Sequence, residues 1–128
     1  MENISIDALQ ALAEERIADA KALFDAGRYA GAVYICGYAI ELGLKRKVCL
    51  TLGWDRYEGD GKYKFLKTHD FEVLLRLSGM EKFVKKALIV EWSVVLKWDP
   101  ETRYSSAKQT KEGAHILIES TEAILRNL

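Results

Sequence analysis

The segment from Arg28 to Leu52, RYAGAVYICGYAIELGLKRKVCLTL, constrains the fold more than any other part of the chain. No charged residue occurs between Ala30 and Ile40, and a helix that is apolar on every side has to be buried. The uncharged run ends at Glu41, short of the roughly 20 apolar residues that span a bilayer. The segment therefore predicts the central helix of a soluble helical bundle.

Polar side chains enter this helix at helical spacing. Tyr34, Tyr38, Glu41 and Lys45 follow one another at steps of four, three and four residues, so they share a narrow arc of the helix surface. A buried carboxylate is costly unless a cation or hydrogen-bond donors meet it. We therefore expect a partner for Glu41, and we expect any functional site to lie around that partner.

The composition predicts one compact domain over residues 1–128, since 49% of the residues are hydrophobic. The 19 basic and 19 acidic residues balance, so any binding of nucleic acid would depend on a local patch. The N-terminal segment lacks the basic and apolar regions of a signal peptide. Cys36 and Cys49 lie about 20 Å apart on one predicted helix, too far for a disulfide, and we expect a reducing, cytoplasmic environment.

Helical periodicity predicts an all-α fold, an up-and-down four-helix bundle with an additional short helix and no convincing strand. Ser5 is expected to cap the first helix and Thr68 the short one, and Asp99-Pro100 should end the fourth. The stretch 53–67 is longer than ordinary bundle connections and predicts either a mobile or a functional loop. The predicted helices cover residues 6–26, 28–52, 68–79, 80–97 and 106–127.

Few residues are typical of catalytic or metal sites. The sequence contains no glycine-rich phosphate loop, no HExxH, no paired CxxC and no GxSxG, and its two distant histidines make a zinc site or other cofactor site unexpected. His69 follows Thr68 at a predicted helix start, where backbone N–H groups disfavour a protonated imidazole. A neutral imidazole there can act as an acid or base near pH 7; alternatively, His69 packs structurally over the first turn.

Arg103 is the leading candidate to meet Glu41, because a guanidinium forms bidentate, charge-assisted bonds with a carboxylate. Such a pair would either lock the last helix to the central one or form a catalytic pair. Tyr34, Tyr38 and Tyr104 can supply hydroxyl donors to the same cluster.

Basic residues recur in small groups along the chain. Each group is typical of a solvated surface, but together at one end of a bundle they would hold RNA or a nucleotide. The groups are Lys45-Arg46-Lys47, Lys62/Lys64/Lys67, Lys82/Lys85/Lys86 and Arg103/Lys108/Lys111.

Four short stretches of the sequence resemble the HEPN domain family. They are the pattern of Ala13, Arg16, Ala20, Leu23, Gly27 and Tyr29, then GYAIELGLK at 37–45, LKTHDFEVLL at 66–75, and Arg103-Tyr104. The resemblance implies a dimer of four- or five-helix bundles. Catalytic members of the family are metal-independent ribonucleases, often toxins paired with a nucleotidyltransferase. Their active motif is an arginine, four to six intervening residues and a histidine, and two copies meet in a cleft at the dimer interface.

This sequence departs from that motif. Arg103 matches the arginine, but the allowed histidine positions hold Lys108, Gln109 and Thr110. His115 lies further along the sequence than these positions, and on a helix this displaces its imidazole by about 8 Å or more along the axis. That is too far for proton transfer to the same phosphate.

Three hypotheses follow. The first is a dimeric, catalytically degenerate binding module for a nucleotide, RNA or a nucleotidyltransferase-type partner protein. Its polar cluster would comprise Tyr34, Tyr38, Glu41, Lys45, Tyr104 and Lys108. The second is a metal-independent, toxin-type endoribonuclease in which Arg103 holds the phosphate and His69 supplies the imidazole. The third is a structural dimer without a ligand, in which the predicted Glu41–Arg103 pair only stabilises the bundle.

Overall fold

The computed structural model of the protein describes residues 4–99 and 109–128, and these fold as the predicted all-α bundle. Two short strands, β1 and β2, pair antiparallel, so that Ile4 lies opposite Tyr57. The elements are β1 (Ile4–Ser5), α1 (Ile6–Asp25), α2 (Tyr29–Leu52), β2 (Arg56–Tyr57), a 3-10 helix (Gly61–Leu66), α3 (Phe71–Ser78), α4 (Glu81–Ala87), α5 (Ile89–Val95) and α6 (Lys111–Arg126).

Helices α1 and α2 form a hairpin that spans most of the bundle. The Ser5 hydroxyl accepts a hydrogen bond from the Ala8 amide at 3.1 Å, as expected for the cap of α1. Gly27 has a φ of 75°, a left-handed conformation that glycine adopts at little cost, and it turns the chain from α1 into α2. The hairpin places the apolar stripe of α1 along the central helix.

Helix α2 is the buried centre of the fold, as its sequence predicts, and it packs against α1, α3 and α6. Two of its glycines mark close approaches: the Trp98 indole lies over Gly37, and the Leu125 side chain lies over Gly43. The Trp98 indole nitrogen also donates to the Val33 carbonyl at 2.8 Å. Within residues 4–99 and 109–128, no helix is long and apolar enough to cross a membrane.

The predicted fourth helix is two helices, because Leu88 leaves the helical conformation with φ −127° and ψ 31°. On one unbroken helix Trp92 would lie about 80° around the axis from Val84. With the break, both side chains are buried, and the Trp92 indole nitrogen donates to Glu72 at 2.7 Å. Trp92 therefore belongs to the core, and the prediction of a continuous fourth helix is wrong.

Three further boundaries differ from the predictions. Asp70 rather than Thr68 caps α3, since its carboxylate accepts from the Glu72 and Val73 amides. The last helix begins at Lys111, because the Thr110 hydroxyl caps it by accepting from the Gly113 amide. The stretch 53–67, for which the sequence predicts a mobile or a functional loop, contains β2 and the 3-10 helix.

The contacts of the glycines in α2 predict opposite effects of adding a methyl group. A Cβ at Gly37 would lie 1.9 Å from the rigid Trp98 ring, whereas at Gly31 the nearest atom, in Leu23, is 3.5 Å away. We expect Gly37→Ala to lower the free energy of unfolding by about 1–3 kcal/mol through overpacking. Gly31→Ala should raise it by a few tenths to about 1 kcal/mol through helix propensity. Urea unfolding followed by circular dichroism measures both, and equal values would contradict the described packing of Trp98.

Candidate functional site

A buried ion pair lies on the inner face of α2. The side chain of Glu41 is 1% exposed and that of Lys45, one turn later, is 3% exposed. The Lys45 ammonium donates to Glu41 Oε2 at 2.9 Å. The prediction that Glu41 is buried is confirmed, and its neighbour on the same arc of the helix supplies the cation that the burial of a carboxylate requires.

His69 completes the cluster from the segment before α3. Its Nδ1 lies 2.6 Å from Glu41 Oε1, although the imidazole is 69% exposed. Because an ionised carboxylate only accepts hydrogen bonds, Nδ1 carries the proton in this contact. In the neutral ring the lone pair is then on Nε2, the nitrogen away from Glu41. A buried carboxylate thus fixes the tautomer and the orientation of a solvent-accessible imidazole.

Tyr57 joins this cluster to the 3-10 helix. The Lys45 ammonium lies 5.2 Å from the centre of the Tyr57 ring, within the range of a cation–π contact. The Tyr57 hydroxyl donates to the Leu66 carbonyl. Burial raises the pKa of this hydroxyl far above its usual value, and the charges of Cys49 and Glu41 add to the effect. The hydroxyl therefore remains a donor and holds the end of the 3-10 helix.

Tyr34 and Tyr38, which share the predicted arc with Glu41 and Lys45, lie nearer the N-terminus of α2. Their hydroxyls are 3.1 Å apart, and their rings meet edge to face with 5.3 Å between centres. The Tyr38 ring also contacts the Trp98 indole edge to face. Tyr34 and Tyr38 thus form an aromatic and hydroxyl pair one to two turns before Glu41.

The remaining predicted site residues fall outside the part of the chain that the structure describes. These residues are Arg103, Tyr104 and Lys108. The Glu41–Arg103 pair accordingly stays a prediction. His69 is not at a helix start as predicted, because it precedes the cap Asp70 and the helix begins at Phe71. Its Nδ1 is hydrogen-bonded to Glu41, a contact that neither the acid–base nor the structural alternative for His69 included.

The second histidine is differently placed. His115 Nε2 lies 3.1 Å from Glu119 on the surface of α6, and both side chains are more than half exposed. Within the described ranges, no group of three or more histidine, cysteine or acidic side chains is arranged to hold a metal ion. Burial raises the pKa of the Cys36 thiol to about 11, so this cysteine is not a ready nucleophile at neutral pH.

A comparison of the chain with models of protein families identifies the family to which it belongs. The HEPN domain model matches residues 7–128, nearly the whole chain. The chain belongs to the HEPN family. No curated protein and no solved structure matches the chain. The resemblance seen in the sequence is thereby confirmed, and the all-α bundle is that of a HEPN domain.

Two contacts of this HEPN domain are not predicted by the sequence patterns. The first joins His69 to Glu41, although the two residues lie in the two family-like stretches 37–45 and 66–75. The apolar spacing of Phe71, Leu74 and Leu75 would have been the signal, since it packs α3 against α2. Nothing in the sequence singles out Tyr57 as the residue over Lys45.

The buried ion pair predicts strong thermodynamic coupling. Glu41→Gln leaves the Lys45 ammonium buried without its carboxylate, and we expect a loss of about 3–5 kcal/mol in the free energy of unfolding. Adding Lys45→Met should restore much of that loss, because the second change removes the uncompensated charge. Urea unfolding of the wild type, both single variants and the double variant measures the coupling.

Glu81 and Lys85 provide the matched control, because they have the same spacing on α4 and a similar distance of 3.0 Å but are about a third exposed. We expect little coupling there, because an exposed ion pair is screened by water. Additive effects at Glu41 and Lys45 would contradict the buried pair.

Proposed function

We propose that this HEPN domain binds RNA or a nucleotide phosphate at the cluster of Glu41, Lys45 and His69. The observation that carries the proposal is the 2.6 Å contact between His69 Nδ1 and Glu41, which joins an exposed imidazole to a buried carboxylate. A structural role alone would not require a ring that remains 69% exposed. The contact presents Nε2 outward in a defined direction.

The charges around His69 favour an anionic ligand. Lys45 neutralises Glu41 beneath the ring, so the buried acid adds little net negative charge to the surface. The preceding segment, 61–69, contributes three lysines and no carboxylate. Phosphate oxygens are the groups that lysine and a protonated imidazole hold by charge-assisted hydrogen bonds.

This proposal predicts that His69 contributes to RNA affinity and His115 does not. We expect His69→Ala to weaken the binding of a fluorescein-labelled 12-nucleotide RNA by about threefold to tenfold at 50 mM salt, because one phosphate contact is lost. His115→Ala is the matched control, since His115 is also exposed and bonded to a glutamate. Fluorescence anisotropy measures both. Unchanged affinity in His69→Ala, or the same loss in both variants, would refute the site.

A second candidate function, metal-independent endoribonuclease activity, is favoured by the same geometry. A neutral imidazole whose Nδ1 proton is held by a carboxylate has its Nε2 lone pair ready to accept a proton. In this reaction, Nε2 of His69 would take the proton of an RNA 2′-hydroxyl. The 2′-oxygen would then bond to phosphorus, and the bond to the 5′-oxygen would break as that oxygen takes a proton from water. Arg103 would hold the phosphate, as the family motif implies.

The ribonuclease proposal predicts that cleavage persists in EDTA and depends on the tautomer of His69. We expect Glu41→Gln to reduce cleavage about 100-fold or more, because its amide can donate to Nδ1 and move the ring proton to Nε2. His69→Gln and Arg103→Ala should abolish cleavage, and His115→Ala should not change it. Electrophoresis of labelled RNA measures the rates, with circular dichroism to verify folding. Wild-type protein that binds RNA without cutting it would leave the binding function and refute the nuclease.

The proposal includes a homodimer, as the family resemblance implies, and a location in the cytoplasm, because Cys36 and Cys49 form no disulfide with each other. Light scattering after size-exclusion chromatography gives the mass in solution, and a mass of 14.5 kDa would show a monomer. A nucleotidyltransferase-type partner protein is a further part of the proposal that rests on the resemblance alone.

A further inference from the structure

The segment directly before His69 has an unusual composition for a connection between helices. Its sequence from 61 to 69 is GKYKFLKTH, with three lysines, two aromatic residues and no acid. It begins with the 3-10 helix and ends at the imidazole bonded to Glu41. We call residues 61–69 the lysine segment.

The backbone of the lysine segment is held in place by contacts with the core. Leu66 is 1% exposed, and its carbonyl accepts from the buried Tyr57 hydroxyl. The Tyr63 ring packs edge to face on Trp54, with 4.9 Å between ring centres. The 3-10 helix is irregular at Tyr63, whose φ of −98° and ψ of 15° are not helical. The segment is therefore anchored to the core by the separate contacts of Tyr63 and Leu66.

Phe65 and the three lysines of the lysine segment face solvent. The Phe65 side chain is 65% exposed, and the neighbouring Lys62, Lys64 and Lys67 are exposed as well. The Phe65 ring adds little to the core, because most of its surface is in contact with water. An exposed aromatic ring on an anchored backbone, flanked by cations, has the composition of surfaces that bind single-stranded nucleic acid.

We propose that Phe65 stacks against one base of a single-stranded RNA whose phosphates are met by Lys62, Lys64 and His69. This inference rests on the RNA-binding function proposed above, and it identifies Phe65 as the residue that contacts a base of the strand. Four residues of chain span at most about 14 Å, so the Phe65 ring and the His69 imidazole lie within a few nucleotides of one another. The strand then runs along the lysine segment toward Glu41 and His69.

The charge of the segment favours RNA over a protein as the occupant. A protein surface that covers Phe65 would have to bury or pair the flanking lysines, whereas an RNA strand supplies one phosphate per nucleotide for them. Stacking also explains an aromatic rather than an aliphatic side chain at this position, since every base offers a flat face. Exposed aliphatic residues of the bundle, such as Val90 beside Glu91, do not combine an aromatic ring with flanking lysines.

The test measures the affinity of a fluorescein-labelled 12-nucleotide 2′-O-methyl RNA, which cannot be cut by attack of its 2′-oxygen. We expect Phe65→Ala to weaken binding about tenfold and Phe65→Trp to preserve it. Phe83→Ala is the matched control: its ring is also exposed and flanked by lysines, but it lies on α4 rather than in the lysine segment. Lys62→Gln and Lys64→Gln should each lower the slope of log affinity against log salt by about one.

Two further probes identify what Phe65 touches. A strand of abasic nucleotides keeps the phosphates but lacks bases, so its affinity should be the same for wild type and Phe65→Ala. A duplex of the same sequence should compete poorly, because its bases are already stacked. Light scattering of Phe65→Ala tests the other occupant: a change in mass would show that the ring belongs to a protein interface and would overturn the proposal.

The outcomes separate this inference from the function on which it rests. If the wild type binds RNA and Phe65→Ala binds equally well, the stacking contact is refuted while the His69 site stands. If the wild type binds none of the strands, the proposed function itself fails. An equal loss in Phe65→Ala and Phe83→Ala would show a nonspecific effect and refute the assignment.

Discussion

Burial of the Glu41 carboxylate is the constraint on which the site depends. Taking a carboxylate out of water costs several kcal/mol, and the described structure offsets that cost with two contacts, the ammonium of Lys45 and Nδ1 of His69. The first contact lies within α2, and the second requires the segment before α3 to approach α2. Tyr57, over Lys45 and bonded to the Leu66 carbonyl, holds that segment. A single buried charge thus organises parts of the chain that are 28 residues apart.

Much of the fold could be predicted because its causes are local. The uncharged run of α2 requires burial, Ser5 caps α1 with a hydroxyl, and Gly27 ends the first helix of the hairpin. The break at Leu88 could not be predicted in the same way, since neither glycine nor proline marks it. Its reason is tertiary: it lets Trp92 enter the core and reach Glu72.

The site was predicted only in part for the same reason. The spacing of Glu41 and Lys45 placed both on one arc, and the burial of an acid demanded a partner. Which side chain contacts the Glu41 carboxylate depends on the angle at which α3 packs against α2. The helical pattern of the sequence does not give that angle. Arg103 was preferred on chemical grounds, because guanidinium suits a carboxylate. In the described residues a lysine and a histidine meet the carboxylate, and the Glu41–Arg103 pair stays a prediction because Arg103 lies outside them.

The position of His69 bears on the action on a phosphate that we propose for this HEPN domain. An acid–base group is defined by where its nitrogen lies and by what holds the ring, rather than by its place in the sequence. In the motif implied by the family resemblance, the histidine follows the arginine by a few residues; here those positions hold Lys108, Gln109 and Thr110. His69 comes from a different element, yet a carboxylate of the central helix holds its Nδ1. Loss of the motif histidine therefore removes one imidazole without removing the means to orient another.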